Sequence, residues 1–331
     1  MTIYTLAQLA GVSTATVSRV INGLPGVGES TRIKVKKLID DTGYIPNLIA
    51  RDLSTQKSLT AGLVLPGINS YFSPAVQSIS QSFRDAGVHL LITTNPGGVF
   101  DDLHESEGLQ LLLSKRVQGV IMFLSRITPR HAEVLEKWPE NVELVLINDE
   151  FPGSRFNTLF QDPEPGYRAL FKHLQARGLL NLGYIGGPEG DRTASRRLEV
   201  IQKLGREMGF HLPAELITHG GFDLVGGEQG VDTLLARGKF QALLCANDFT
   251  AIGAMRALRS RGISVPEQVA VVGYDDLEIS RYTVPALTTI TQDVARLGSE
   301  AARLLLRRWE KPEEPAQKIF FASRLLLREP C

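Results

Sequence analysis

Thr5-Leu6-Ala7-Gln8-Leu9-Ala10-Gly11-Val12-Ser13-Thr14-Ala15-Thr16-Val17-Ser18-Arg19-Val20-Ile21-Asn22 reads as two short helices on either side of a tight turn. Thr5 and Gln8 are spaced as a capping box, with Thr5 as the cap and Gln8 reaching back. Gly11 stops that helix, Val12 is an apolar anchor, and Ser13 caps a second helix that Gly23 and Pro25 break just after Asn22. A small turn residue, an anchor and a capped second helix are what a helix-turn-helix needs. Val17, Val20 and Ile21 form the inward stripe of the second helix, while Thr14, Ala15, Ser18, Arg19 and Asn22 share its outer face. That face suits a major groove, with Arg19 placed to pair with guanine O6 and N7 and Ala15 to touch a thymine methyl. The same residues also suit a structural helix pair with solvated polar side chains, and spacing alone does not separate the two. A third helix over 30–42, with Val35, Leu38 and Ile39 on one face, ends at Gly43.

The rest of the chain differs in texture. The whole protein has 331 residues, 43% of them hydrophobic, enough for two or three domains with large cores. The net charge of zero hides an asymmetry: residues 1–58 carry seven Lys and Arg against four Asp and Glu, and the remainder 29 against 32. A basic head on an acidic body fits a head that binds nucleic acid. No apolar run is long enough for a membrane helix, and Met1–Gly11 lacks the basic and apolar regions of a signal peptide, so a cytoplasmic protein is expected. Cys245 and Cys331 are expected to stay unpaired there.

From Leu59 onward, apolar runs alternate with amphipathic helical stretches. The runs are 62–65, 88–92, 119–124, 144–147, 182–185, 242–245 and 269–272, and the helical stretches are 74–86, 102–115, 164–177, 194–208, 226–237 and 248–261. Uninterrupted apolar strands separated by helices imply a parallel sheet covered on both faces. There are too many units for one small sheet, so the body reads as two doubly wound parallel-sheet subdomains dividing near 158–162. The tail adds a helix over 294–309 and short strands at 318–321 and 324–327.

Tyr4 to Ser13, Thr16 to Asn22, Thr31-Arg32, Gly43-Tyr44-Ile45-Pro46-Asn47 and Ala50-Arg51-Asp52-Leu53 resemble, block after block in order, the head of the LacI–GalR family of bacterial repressors. The resemblance extends through nearly the whole chain and implies a periplasmic-binding-protein-like core. It assigns 1–46 to a helix-turn-helix domain and 47–58 to a hinge helix and linker. Residues 59–331 become an effector-binding and dimerisation core, with one subdomain at about 59–160 plus 292–320 and the other at about 161–291 plus 321–331. DNA contacts then fall to Thr5, Ser13, Thr14, Ala15, Thr16, Ser18, Arg19 and Asn22 in the head and to Asn47, Ala50, Arg51 and Leu53 in the hinge, where Leu53 would wedge into the minor groove. The implied assembly is a homodimer on a pseudo-palindromic operator, with helix 74–86 as a candidate contact face. Thr5 stands where the family usually has Asp, and Gly28 where a Ser usually caps the third helix.

Two sheet halves joined by crossovers leave a cleft at their carboxyl strand ends. The residues just after the strands are therefore the effector-binding candidates: Tyr71, Phe72, Asp149, Asp191, Thr193, Arg197, Phe222, Asn247, Asp275 and Gln292. Asp and Asn share hydrogen bonds with hydroxyls, Arg donates a fork, and aromatic faces cover C–H patches, which together suit a sugar. Asn247 could equally orient a loop, and Phe222 could be core. Arg192, Arg196 and Arg197 together also admit a sugar acid or sugar phosphate. The expected function is a DNA-binding transcriptional regulator, a repressor of a carbohydrate-utilisation operon released by its effector. A sugar-binding transport receptor would share the body but would need an export signal and no head. An α/β enzyme is the other alternative, but no P-loop, nucleophile-elbow or zinc-protease motif is present, so no catalytic residue, metal or cofactor is expected.

Overall fold

The computed structural model describes residues 1–21, 23–44, 60–98, 100–153 and 155–329, and the chain divides into two compact units, Met1–Leu59 and Thr60–Cys331. Asn22, Cys331 and the expected hinge, with Asn47, Ala50, Arg51 and Leu53, lie outside the described residues.

The first unit contains α1 (Ile3–Ala10), α2 (Thr14–Ile21) and α3 (Glu29–Thr42). The expected cap at Thr5 is corrected. Thr2 caps α1, its hydroxyl accepting from the Thr5 N–H at 3.3 Å, and Thr5 lies inside the helix. The earlier start lets apolar Ile3 pack on the head core of Leu6, Ala7, Ala10, Val17, Val20 and Val35. Gly11 takes the left-handed conformation, φ 68°, and its N–H reaches back to close α1. Ser13 accepts from the Thr16 N–H at 3.1 Å and so opens α2 as expected.

Gly28 precedes α3 in an extended conformation with no side-chain cap, and among the described residues a Cβ there would meet no atom within 4 Å. Gly28→Ser is therefore expected to stabilise the head by about 0.5 kcal/mol, by supplying an oxygen to the orphan N–H groups and restricting the unfolded chain. A rise of a few degrees in the head's melting transition, followed by circular dichroism, checks this.

The second unit has two lobes. Lobe 1 is a six-stranded sheet of β1 (Thr60–Leu65), β2 (His89–Thr94), β3 (Gly119–Phe123), β4 (Glu143–Ile147), β5 (Asn157–Asp162) and β11 (Lys318–Ala322). Its order is β11-β5-β4-β3-β1-β2, parallel throughout. α4 (Ser73–Asp85) and α11 (Val294–Glu310) cover one face, and α5 (Asp102–Ser114) and α6 (Pro129–Leu135) the other. Lobe 2 contains β6 (Leu182–Gly186), β7 (Ile217–His219), β8 (Ala242–Cys245), β9 (Ala270–Tyr274), β10 (Thr288–Thr291) and β12 (Arg324–Leu326), in the order β12-β10-β9-β8-β6-β7. α7 (Glu164–Ala176) and α8 (Arg192–Met208) pack on one side and α9 (Leu224–Arg237) and α10 (Asp248–Ser260) on the other. This sheet is not wholly parallel: β12 runs antiparallel to β10, because Ser323 alone separates it from β11 and leaves no room for a crossover helix between the lobes.

The central strands are apolar and buried on both faces, as in other sheets sandwiched between helices. The chain passes between lobes three times: after β5, after β10 and between β11 and β12. These passages pack together at Gly166, whose N–H donates to the Ser323 hydroxyl at 3.0 Å and where a Cβ would lie 2.5 Å from Ile290. β5 reaches Asp162 and β11 reaches Ala322, two residues beyond the expected subdomain bounds. Among the described residues no helix is long and apolar enough to cross a membrane.

Candidate functional site

The expected recognition face is largely open in the head. Ala15 and Arg19 on α2 are exposed, as are Thr5 and Ser13, while Thr14, Thr16 and Ser18 are half-buried. Val17 and Val20 face inward and fix the roll of the helix.

In the second unit the loops after β4, β3, β1 and β2 converge with those after β9, β8, β6 and β7 around a cavity of about 770 Å³. Of the ten expected effector residues, Tyr71, Phe72, Asp191, Thr193, Arg197, Phe222, Asn247 and Asp275 line it. Asp149 and Gln292 do not. They line a much smaller recess of about 50 Å³ beside it. Asp149 accepts from the backbone N–H groups of Ile127 at 2.7 Å and Glu150 at 3.0 Å, which ties down the loop after β3. Gln292 donates to the Tyr274 hydroxyl at 2.6 Å and accepts from the Tyr71 hydroxyl at 3.4 Å, bridging the lobes beneath the cavity.

Arg197 anchors the lobe 2 wall. It is 4% exposed, lies 3.8 Å from the centroid of the Tyr274 ring, donates to the Ala246 carbonyl and pairs with Asp275 at 3.4 Å. Its Nε has no hydrogen-bond partner among the described residues. Burial works against the charged guanidinium, and the Asp275 carboxylate beside it holds it charged. Asp275 sits just past β9 at φ 105°, a conformation that a side-chain-bearing residue keeps only where its surroundings enforce it. Burial pushes its carboxyl up to about 7, with Arg197 pulling the other way. Asn247 caps α10, accepting from the Thr250 N–H at 2.9 Å, and donates to the Phe222 carbonyl at 3.1 Å, so one side chain orients both α10 and the aromatic beside it. Asp191 caps α8 and accepts from Ser125 of lobe 1 at 2.9 Å, and Arg192 of lobe 2 lies 3.6 Å from Asp149 of lobe 1.

Asp248, next to Asn247, lies under the site with no exposed surface. It accepts from the Leu277 N–H and the Ser280 and Thr289 hydroxyls, yet burial still raises its carboxyl to about 6. Asp248 and Asp275 thus bind a proton more tightly in the folded than in the unfolded chain. The stability they contribute is complete below about pH 4 and is lost as pH rises through about 6 and 7. The melting temperature of the core is expected to fall between pH 5 and pH 8, with roughly 1–2 kcal/mol of the loss due to Asp248. Calorimetry of Asp248→Asn should show a shallower slope over that window, whatever its absolute stability.

On the lobe 1 wall opposite, sequence reasoning found Tyr71 and Phe72 but missed two residues. Glu105 on α5 and His131 on α6 both line the cavity, and neither is more than 2% exposed. The Glu105 carboxylate accepts from the Asp101 N–H at 3.0 Å and from Asn95 Nδ2 at 3.3 Å, and its other oxygen is 3.0 Å from His131 Nε2. The Thr128 N–H donates to His131 Nδ1 at 3.2 Å, leaving Nε2 as the protonated nitrogen facing Glu105. The signal available was Thr128-Pro129-Arg130-His131, a capping sequence that places His131 at the third helical position.

A helix-turn-helix head and a two-lobed core with a cavity at opposed strand ends define a DNA-binding transcriptional regulator with an effector-binding core. Residues 2–47 match the model of bacterial regulatory proteins of the lacI family, and residues 171–331 that of the periplasmic binding protein-like domain. The chain is 32% identical over 330 residues to the HTH-type transcriptional regulator GalR of Escherichia coli (strain K12), covering 99% of this chain and 94% of that protein. The chain belongs to the lacI family. Its structure is similar to that of the lac repressor dimer bound to operator and the anti-inducer ONPF, with a TM-score of 0.87 at 28% identity over 100% of this chain and 98% of the other. It is also similar to the transcriptional regulator CelR in complex with cellobiose, with a TM-score of 0.73 at 28% identity and both chains covered in full.

Proposed function

We propose that the protein represses a carbohydrate-utilisation operon in the cytoplasm, binding a pseudo-palindromic operator as a homodimer and leaving it when a sugar occupies the cavity. The observation that carries this reading is the lining around the Arg197–Asp275 pair: a fixed guanidinium, a carboxylate and the Asn247 amide beside Phe72 and Phe222. That combination offers hydroxyl partners next to aromatic faces, the chemistry of a polyol site. Its groups act in recognition rather than turnover. A second copy of the chain as partner is supported by exposed Leu224, Val225, Ile279, Tyr282 and Val284 on lobe 2.

The ligand acts by favouring one arrangement of the lobes, and a coupling of about 1–3 kcal/mol changes operator affinity roughly 5- to 150-fold. Selection of sites from random DNA, with and without a panel of neutral sugars, tests the reading. A symmetric site lost on adding one sugar is expected, and no preference for any duplex would end it. Arg19→Ala should cost about 1–3 kcal/mol at the guanine it reads while leaving salt-sensitive nonspecific binding in place. Retained preference at every position would remove Arg19 from the recognition face.

A further inference from the structure

The cavity is elongated. In lobe 1 its lining comes from the ends of β4, β3, β1 and β2 in turn, and in lobe 2 from the ends of β9, β8, β6 and β7. Each series crosses three inter-strand spacings, about 14 Å in all. A single pyranose ring spans little more than one such spacing. The Arg197–Asp275 pair stands at the β9 end. At the other end, after β2, stand Phe100, Asp101, Asp102 and Glu105, which the polyol reading above leaves unused.

That far wall is built. One Glu105 oxygen accepts from Asn95 and the Asp101 N–H and the other lies 3.0 Å from His131 on α6, so α5 and α6 meet at a buried polar contact behind these groups. Phe100 meets Phe72 edge-on, with ring centroids 6.3 Å apart, and continues the apolar strip along the cavity. Phe222 and Phe249 line the cavity from lobe 2.

Charge narrows the ligand further. The lining holds seven carboxylate side chains against two guanidinium groups, Arg126 and Arg197. Arg197 already has its counter-ion in Asp275 and donates to the Ala246 carbonyl, which leaves its Nε unpartnered among the described residues, and Arg126 is exposed. Asp102 has the exposed Arg130 at 3.8 Å, but among the described residues no buried cation without a counter-ion lines the cavity, so a phosphate or carboxylate entering here would exchange its hydration shell for a mostly acidic wall. Arg192 and Arg196, whose presence admitted an acidic ligand in the sequence, lie outside this lining.

We propose that the effector is an uncharged carbohydrate of two linked rings, one ring held at the Arg197–Asp275 end and the second between Phe100 and the acidic N-terminus of α5. This rests on the reading of the cavity as a sugar site and adds the size and charge of the ligand. Calorimetric titration of the full chain with glucose, galactose, lactose, cellobiose, maltose, glucose 6-phosphate and glucuronate tests it. At least one disaccharide is expected to bind about tenfold or more tighter than its constituent monosaccharides, with the two anions no tighter than glucose. In Asp102→Ala the ratio of disaccharide to monosaccharide affinity should fall at least about fivefold, whereas Asp275→Asn should weaken both. If a monosaccharide binds as tightly as every disaccharide, or an anion binds tightest, the proposal is overturned while the sugar site stands. If no carbohydrate binds, the sugar reading fails and the proposal with it.

Discussion

Arg197→Met is expected to leave operator binding in place but to abolish its release by effector, and to destabilise the core by about 3 kcal/mol at pH 8. Methionine keeps much of the volume against Tyr274 but removes the charge and the hydrogen bonds to Ala246 and Asp275. Asp275 is left buried without its counter-ion, and breaking a buried pair from one side costs more than the pair contributes. A loss of this size in a core of the length of Thr60–Cys331 corresponds to roughly 6–12 °C in melting temperature. The penalty should shrink at pH 5.5, because the carboxyl, already raised to about 7 beside Arg197, can then take up a proton and become neutral. Adding Asp275→Asn should recover much of the stability and none of the effector response. If the double variant melts no higher than Arg197→Met at pH 8, the uncompensated carboxylate is not the source of the loss.

Gly253→Ala should destabilise lobe 2 by about 3 kcal/mol, although glycine to alanine inside a helix ordinarily stabilises by up to about 1 kcal/mol. The reversed sign follows from the crossing of α9 and α10. A Cβ on Gly253 would lie 2.0 Å from the Leu224 carbonyl oxygen, and one on Gly227 2.1 Å from that of Thr250. Both obstacles are backbone, so the helices must separate. α10 begins at its Asn247 cap, which also holds Phe222, so the displacement reaches the cavity wall and effector affinity should fall along with the melting temperature. Gly205→Ala in α8 is the control: its Cβ would meet only Phe171 and Phe210 at ordinary contact distances, and it should be neutral or stabilising. Equal melting temperatures for the two variants would show that the crossing can relax.

The layered body was legible because the central strands are apolar on both faces, which leaves a local mark. β5, β7, β10 and α6 were not read. β5 (Asn157-Thr158-Leu159-Phe160-Gln161-Asp162) and β10 (Thr288-Thr289-Ile290-Thr291) look like loops, yet Asn157, Thr158, Gln161, Thr288 and Thr289 are buried. Their polar atoms are satisfied from far along the chain: Asn157 accepts from the Gln317 N–H, Thr289 donates to Asp248, and Thr288 accepts from the Arg328 N–H. Periodicity within a short window cannot register partners at that distance. β7 and α6 have three and seven residues, too few to show a period.

The site divides in the same way. Taking the residue after each strand found the lobe 2 wall, since a carboxyl strand end points its successor at the cleft. That rule also selected Asp149 and Gln292, whose side chains are drawn into hydrogen bonds at its flank. It could not reach Glu105 and His131, which meet across two helices. In the head, capping chemistry found Ser13 and missed Thr2, because an apolar residue between cap and core stripe extends α1.

The three passages of the chain between lobes all lie beside β5, β10 and the two tail strands, at one end of both sheets, whereas β2 and β7 close the opposite end. Strands tethered along one border rock about that border as a fulcrum. Separation of the lobes therefore grows with distance from it, and a group gripping the β2 end works on the longest lever arm within the two lobes. A given contact energy placed there resists opening over a wider swing than the same energy spent beside Arg197. The reach of a ligand across the cavity, and not its affinity alone, then decides how strongly it biases the protein.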